Sequence, residues 1–285
     1  MLHERAHAKV NLYLHVGGRR ADGYHTLQSL VCFTDAGDEL DFEPSSEIRL
    51  ELDGPFGAAL DDTEDNLVLR AARALAPAAG RSLGARIRLF KALPVASGIG
   101  GGSADAAAAL RGLSRLWSLT LEPAQLDRVA LELGSDVPVC LLSETSQMSG
   151  RGEQVAKVEG LPELPMLLVN PRVAVSTAAV FRQLGRSTDE PPPDSPHWPG
   201  AMPAGELVRW LKGTRNDLQD AACAIAPAIG EVLASLEDAG ALLARMCGSG
   251  ATCYGIFGDA ATCARAAQEI ASVQPGWWVC PTQVR

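Results

Sequence analysis

The sequence contains no Cys-x-x-Cys pair, although seven cysteines are scattered along it. This pattern excludes a zinc knuckle, and the odd number does not fit a disulfide framework, so reduced and mostly buried thiols are expected. The sequence also lacks an apolar run of about 18 residues, the length that a membrane-spanning helix needs. No apolar signal region follows the first methionine. These features predict a cytoplasmic protein without a membrane partner.

A surplus of positive charge is also missing. The chain has 25 lysines and arginines against 34 aspartates and glutamates, a net charge of −9. Because nucleic-acid binding requires a broad basic face, no nucleic-acid partner is expected. An anionic ligand must be bound by a few local cations, backbone amides or a metal ion. The chain has 285 residues, 47% of them hydrophobic, which is enough for a sizeable core, and roughly 150 residues per domain suggest two domains.

Alternating apolar residues and turn signals predict an antiparallel β region in the N-terminal part of the chain. Its strand candidates lie at 10–16, 27–33, 38–42 and 48–52. A helix capped by Thr63 or Asp65 and ended by Pro77 and Gly80 is predicted next, followed by a strand at 85–90. Further helices are predicted at 104–116, 123–133 and 136–142, the last of them capped by Ser135.

The pattern of elements restarts after residue 157. Strands are predicted at 165–169, 241–246, 252–257 and 277–282, and helices at 177–184, 216–224, 228–236 and 260–271. Residues 185–203 are rich in proline and glycine, which indicates a surface loop. The sequence therefore predicts an α+β protein with two domains, residues 1–157 and 158–285.

A glycine loop between a predicted strand and a predicted helix is the strongest single motif. Glycines occupy four of the five positions from 98 to 102, and Ser103 follows. Glycines let backbone N–H groups approach a ligand closely, and a helix N-terminus favours an anion, so the loop predicts phosphate binding. No Gly-Lys-Ser/Thr is present, which excludes a P-loop, and Ser103 stands where a dinucleotide motif needs glycine.

Several separated motifs together resemble one family. Residues 93–107 resemble the second motif of the GHMP kinases, and residues 246–253 resemble their third. Stretches 8–16, 19–25 and 133–139 resemble a branch whose members phosphorylate a cytidine diphosphate-linked methylerythritol in the non-mevalonate isoprenoid pathway. The resemblance implies the two-domain GHMP fold. Its N-terminal domain is similar to domain 2 of ribosomal protein S5, and its C-terminal domain is ferredoxin-like.

The resemblance also implies a reaction, in which the γ-phosphoryl group of ATP moves to the 2-hydroxyl of that substrate. Lys9 and Asp136 match the catalytic pair of the family. Asp136 is expected to accept or orient the hydroxyl proton, and Lys9 to neutralise charge on the moving phosphoryl group. Taken singly, Lys9 is as well explained as a solvated strand residue and Asp136 as a helix cap.

The ATP-binding positions implied by the resemblance are Asn66, Lys91, Pro94, Gly98, Gly100, Gly101, Gly102 and Ser103. Lys91 has an alternative as a surface lysine at a strand end. Ser103 could cap its helix or touch a phosphate oxygen or Mg²⁺. Mg²⁺ is implied by the highly charged phosphates, with no protein side chain assigned as its ligand.

The substrate positions implied by the resemblance are Asn11, Tyr24, His25, Thr177 and Phe181. Tyr24 and Phe181 match two aromatic residues that enclose the cytosine ring, although Phe181 alone is explained as a helix core residue. Residues 248–250 are expected to face the glycine loop. Residues 185–203 match no family pattern. A related kinase with another substrate and an inactive nucleotide-binding regulator are the alternatives, and the chain is expected to be a monomer or a weak homodimer.

Overall fold

The computed structural model describes residues 1–60, 65–79, 83–188, 190–191, 193 and 195–285. Thr63 and Gly80, two of the predicted helix-boundary residues, lie outside the described residues. The chain forms two compact units. The first comprises Met1–Ala8, Gly37–Val95 and Gly100–Ser143, and the second comprises Lys9–Ala36, Ala96–Ile99 and Glu144–Arg285. The division into domains at residue 157 stays a prediction.

Two long strands contribute residues to both units. Strand β1 (Leu2–Arg19) begins in the first unit, and β2 (His25–Ser45) begins in the second. The prediction of separate strands at 27–33 and 38–42 is wrong, because β2 is continuous through both. Within the first unit, β2 pairs antiparallel with β4 (Gly84–Phe90).

The remaining strand of the first unit corrects a second expectation. β3 (Ile48–Asp53) pairs with β4 in parallel, whereas the sequence predicted an antiparallel region. The alternation that predicted β4 is confirmed, since Ala85, Ile87 and Leu89 are buried. The arginines between them are exposed and form ion pairs with acidic residues of β3. These pairs align the two strands at the surface.

The described part of the first unit also contains four α-helices: α1 (Leu67–Leu75), α2 (Gly101–Leu116), α3 (Pro123–Leu133) and α4 (Val137–Leu142). Helix α2 contacts the other three. Small buried alanines line α2 and let its neighbours approach. A Cβ on Gly112 would lie 2.4 Å from the ring of Phe42, so this helix also packs closely on β2. The glycine loop therefore leads into a helix that is fixed on several sides.

In the second unit, β5 (Ser146–Gly150) pairs antiparallel with β2 and with β6 (Gln154–Lys157). A four-stranded antiparallel sheet has the order β10–β7–β9–β8. These strands are β7 (Pro165–Asn170), β8 (Leu243–Met246), β9 (Cys253–Ile256) and β10 (Trp278–Gln283). With helices after β7 and after β9, this order is ferredoxin-like, as the family resemblance implied.

Five helices belong to the second unit as described: α5 (Thr177–Leu184), α6 (Ala204–Lys212), α7 (Gln219–Ile225), α8 (Ala228–Asp238) and α9 (Ala260–Val273). Apolar residues of β7, α8 and α9 share one buried cluster. Helix α6 and strands β5 and β6 were not predicted. All seven cysteines lie in the described part of the chain and carry thiols that form no disulfide, and five of them are buried. Among the described residues, no helix has the length and apolar character that crossing a membrane requires.

Candidate active site

The glycine loop leads from β4 into α2. Gly100 occupies the N-cap position with a left-handed φ of 65°, and residues 101–103 form the first turn of the helix. N–H groups of a first turn have no acceptor within the helix, so this turn presents donors and a partial positive charge to an anion. Gly102 is exposed and Ser103 is half-buried, which leaves the turn accessible to a ligand. Because Ser103 lies inside the helix, its capping role is excluded.

Lys91 follows β4 and is only 1% exposed. Its Nζ donates to Asp38 Oδ2 at 2.5 Å and to Asp105 Oδ2 at 2.6 Å. Asp38 Oδ1 accepts the backbone N–H groups of the two residues after Lys91, at 2.7 and 2.8 Å. A Cβ on Gly101 would lie 3.1 Å from Nζ. A buried triad of one ammonium and two carboxylates therefore lies beside the first turn of α2.

This placement corrects one reading of Lys91. The alternative of an exposed lysine at a strand end is wrong. The ammonium is engaged by two buried carboxylates, and it neutralises negative charge next to a turn that is suited to phosphate. A direct contact between Lys91 and the nucleotide stays a prediction. The structure shows in addition that Lys91 pairs with two buried carboxylates.

Asp105 is the unusual member of the triad. Its Oδ1 is buried and has no hydrogen-bond partner. Burial raises the pKa of its carboxyl to about 7, against the opposing effect of Lys91 and with a further rise from Asp38. The cost of burying a second carboxylate beside one ammonium is thus relieved when Asp105 holds a proton.

We expect the free energy of unfolding to fall as the pH rises from about 4 towards about 7. The folded Asp105 keeps its proton up to about pH 7, whereas the unfolded carboxyl loses it near pH 4. The folded state therefore binds more protons in this window, at a cost of at most about 1.4 kcal/mol per pH unit. Denaturant unfolding across this range measures the effect for the natural chain and for Asp105→Asn. Parallel pH profiles of the two proteins would contradict the prediction.

Asp136 lies in the first unit between α3 and α4. It occupies the N-cap position of α4, and its side chain makes no capping hydrogen bond. The prediction that Ser135 caps this helix is therefore wrong. Val137 N–H donates to Gly134 O at 3.1 Å, which fixes the turn around Asp136. The Asp136 carboxylate is half-buried and is not used to cap its own helix.

Asn66 and Pro94, two predicted nucleotide positions, lie at the start of α1 and before the glycine loop. Asn66 is the N-cap of α1, where its Oδ1 accepts the N–H of Val68 at 3.0 Å. This residue takes the place of Asp65 and Thr63, the predicted caps. Pro94 is buried at the entry to the glycine loop. Nucleotide contacts of both residues stay predictions.

In the second unit, Lys9 and Asn11 lie on β1 and are 3% and 4% exposed. The alternative of a solvated strand lysine is therefore wrong. Lys9 N–H donates to Ile99 O at 3.0 Å. Asn11 Nδ2 donates to Ser29 Oγ at 2.8 Å, and that hydroxyl donates to a β1 carbonyl at 2.6 Å. The backbone and side chains of this strand are thus held in place around both residues.

The buried thiol of Cys247 adds a contact that the sequence did not reveal. Its Sγ accepts the N–H of Asn11 at 3.3 Å and lies 3.5 Å from Lys9 O and 3.3 Å from Gly98 O. A thiol carries one proton, so it donates to one of these carbonyls at a time. The third motif contains this cysteine, but the residue type alone does not indicate which atoms the thiol contacts.

Gly98 is the glycine of the loop that belongs to the second unit. Its φ is 80°, and a Cβ there would lie 2.6 Å from Cys247 O and 2.7 Å from Gly250 O. Only glycine permits this conformation and this approach together. The turn at 247–250 thus packs directly on Gly98, in line with the expectation that it faces the glycine loop.

The aromatic residues predicted to bind a base lie in the second unit. His25 and Phe181 are stacked, with ring centroids 5.1 Å apart and an interplanar angle of 28°. Tyr24 is 50% exposed, and the guanidinium of Arg151 lies 5.2 Å from its ring centroid. Arg151 was not among the predicted site residues, although it lies in a Gly-Arg-Gly turn that presents a side chain.

Thr177 begins α5 and contacts the third motif. Its Oγ1 lies 2.8 Å from Ser249 Oγ. Within the second unit, this bond joins the helix that carries Phe181 to the turn that packs on Gly98. Ser249 is a second residue that was not among the predicted site residues, because the sequence indicated only that it belongs to a turn.

The comparisons with known proteins agree with this geometry. The GHMP kinases N terminal domain matches residues 66–144, and the GHMP kinases C terminal domain matches residues 201–273. A 4-diphosphocytidyl-2-C-methyl-D-erythritol kinase of Methylobacterium radiotolerans is 48% identical over 100% of this chain and 99% of its own. One of Bradyrhizobium diazoefficiens is 50% identical over 97% of this chain and 95% of its own. The chain belongs to this kinase family.

Solved structures support the same assignment of fold. A crystal structure of 4-(cytidine 5'-diphospho)-2C-methyl-D-erythritol kinase has a TM-score of 0.79 at 32% identity and covers 99% of both chains. A homoserine kinase from Cytophaga hutchinsonii has a TM-score of 0.70 at 18% identity and covers 100% of this chain and 94% of its own. The latter shows the fold alone. The expected α+β GHMP kinase fold is confirmed.

In this kinase family member, the predicted site residues divide between the two units. The first unit holds Asn66, Lys91, Pro94, Gly100, Gly101, Gly102, Ser103 and Asp136, and the second holds Lys9, Asn11, Tyr24, His25, Gly98, Thr177 and Phe181. With the exception of Gly98, the nucleotide positions thus lie in one unit and the substrate positions in the other. Among the described residues, no group of three or more His, Cys, Asp or Glu side chains could hold a metal ion.

Proposed function

We propose that the chain transfers the γ-phosphoryl group of ATP to the 2-hydroxyl of 4-diphosphocytidyl-2-C-methyl-D-erythritol. The observation that carries this proposal is the identity of 48% over 100% of the chain with a relative of that name. Identity over the whole length supports a shared substrate better than a shared fold does, because unrelated substrates are used on this scaffold.

The first turn of α2 supports the nucleotide part of the proposal. Its backbone donors and helix N-terminus suit the phosphates of ATP, and it is open to a ligand. Mg²⁺ enters the proposal as the ion bound to these phosphates.

The aromatic residues of the second unit support the cytidine part. A base stacked on Tyr24 or Phe181 gains about 1–3 kcal/mol per base. His25 lies beside Phe181, and its Nε2, the ring nitrogen that does not contact Gly17 O, can bond the edge of a pyrimidine. A substrate without a base, such as mevalonate or homoserine, gains nothing from these rings.

The catalytic roles remain part of the proposal. Asp136 orients the substrate hydroxyl and accepts its proton, and Lys9 neutralises charge on the phosphoryl group in transit. Asp136 lies at the N-cap position of α4 and Lys9 lies on the buried strand β1, so both residues are carried by regular elements of the fold. We further propose that the protein acts in the cytoplasm as a monomer or weak homodimer.

A coupled assay of ADP release tests the proposed function. MgATP is supplied with 4-diphosphocytidyl-2-C-methyl-D-erythritol, with mevalonate or with homoserine. Turnover with the cytidine compound alone is the expected result. Turnover with mevalonate or homoserine would assign a different kinase activity. Binding of ATP without turnover of any of the three would instead indicate a nucleotide-binding regulator.

A further inference from the structure

The segment 186–193 matches no family pattern and begins where the helix carrying Phe181 ends. Helix α5 stops at Leu184, and Gly185 is its C-cap. The described residues of the segment are 186–188, 190, 191 and 193. The segment is therefore continuous with the end of α5, whose last residue, Leu184, is three residues beyond Phe181.

The other side of the segment packs on the end of β1. The N–H of Arg19 donates to Ser187 O at 3.1 Å. A Cβ on Gly18 would lie 2.4 Å from Glu190 O, and a Cβ on Gly17 would lie 2.6 Å from Pro193 Cδ. Both contacts are closer than real Cβ atoms allow. The two glycines are thus the positions at which the segment approaches the strand backbone.

The same two glycines hold the start of β2. Gly17 O lies 3.1 Å from His25 Nδ1, and Gly18 O accepts a bond from Thr26 Oγ1 at 3.5 Å. The backbone of residues 17 and 18 therefore lies between the segment on one side and His25 on the other. Displacing this backbone moves an acceptor of the His25 ring.

The segment is closed on itself by Glu190. Its carboxylate accepts the N–H of Ser187 at 3.0 Å and a guanidinium N–H of Arg186 at 2.9 Å. The guanidinium of Arg186 also lies 3.6 Å from Asp217 Oδ2, which accepts the N–H of Val16 at 2.8 Å. A second link thus joins the segment to β1, one residue before Gly17.

We propose that the described residues of segment 186–193 position the base-binding residues by fixing His25 relative to Phe181. One end of the segment is continuous with the helix of Phe181, and the other is wedged against the glycines that hold His25. The inference rests on the proposed function, because it assigns the segment to the cytidine part of the substrate. Its residues are positioning residues, since they act through His25 and Phe181.

The proposal predicts an effect on one ligand alone. The nucleotide positions Gly100–Ser103 belong to the first unit, whereas the segment, His25 and Phe181 belong to the second. Loosening the segment should therefore weaken binding of a cytidine nucleotide and leave binding of an adenine nucleotide unchanged. A general loss of structure would weaken both.

Isothermal titration calorimetry with CDP and with ADP tests the proposal on the full chain. In Gly18→Ala the new methyl group displaces the segment, and CDP is expected to bind about 10-fold more weakly, with ADP affinity unchanged within about two-fold. The control is Gly205→Ala, because a Cβ there meets nothing within 4 Å. In the kinase assay, Gly18→Ala should raise KM for the cytidine substrate and leave kcat and KM for ATP unchanged.

A milder variant decides the question if Gly18→Ala does not fold. Glu190→Gln keeps the size of the side chain and removes its charge, and a loss of about three-fold in CDP affinity is expected. CDP affinity equal to that of the natural chain in the folded variants overturns this inference alone. Failure of the natural chain to bind CDP overturns the proposed function, and the inference falls with it.

Discussion

Asp136→Asn is expected to lower kcat by about 10²–10⁴-fold, the usual contribution of a general base. The amide keeps the shape of the carboxylate but cannot accept the proton of the substrate hydroxyl. CDP and ADP should bind with unchanged affinity, because Asp136 contributes to neither predicted binding region. Steady-state kinetics with the cytidine substrate, together with calorimetry for the two nucleotides, measures both expectations.

A matched control is Asp127→Asn, an exposed aspartate of α3 in the same unit. It should retain full activity. Lys9→Met is expected to be about as damaging as Asp136→Asn, and the double variant should be little worse than either, because residues that act as one unit are not additive. A kcat close to that of the natural chain in Asp136→Asn would exclude the assigned role.

Lys91→Met is expected to lower the free energy of unfolding by about 3–5 kcal/mol, the usual cost of removing one partner from a buried ion pair. The change leaves Asp38 and Asp105 buried beside each other without a cation. Denaturant unfolding at neutral pH measures the loss. Acidification should restore part of it, since protonation of the carboxyls removes their repulsion.

Lys157→Met serves as the control for Lys91→Met. Lys157 pairs with Glu144 at the surface, where such a pair contributes at most about 1 kcal/mol. A loss of stability in Lys91→Met no larger than that in Lys157→Met would contradict the structural role of Lys91. If Lys91→Met keeps its stability and raises only KM for ATP, the ammonium serves the nucleotide directly.

The elements best predicted from the sequence are those that local signals define. Helix α3 has the predicted bounds, since Pro123 opens it, a capping box closes its first turn and Gly134 ends it. Helix α5 also has the predicted bounds, with Ser176 as a cap that accepts an N–H and Gly185 at its end. These signals act within a few residues, so they are readable without the fold.

The pairing between segments that are distant in the chain could not be predicted from the sequence. The apolar pattern of β3 predicts a strand but does not show that its partner is β4 or that the pairing is parallel. The same is true of Lys91, whose carboxylate partners lie 53 and 14 residues away. A residue type shows what a side chain can bond, whereas the fold decides what it meets.

The candidate site shows the same limit. The motifs indicated the glycine turn, Lys9 and the aromatic residues as candidates, because their residue types match the motifs of the family. They did not indicate Cys247, Arg151 or Ser249, since each acts through a contact that only the folded chain creates. From the sequence, segment 186–193 was predicted only as part of a surface loop.

The interleaving of the two units has a consequence for synthesis of the chain. The first unit contains no residue beyond Ser143, so all of its residues are present once that part of the chain has left the ribosome. Residues 9–36 emerge early, but their unit is completed only by the last strand, Trp278–Gln283. The part of β1 that carries Lys9 and Asn11 therefore lacks part of its unit until residues 278–283 have been synthesised. Termination after α4 would leave out Glu144–Arg285, most of the unit to which Lys9 belongs.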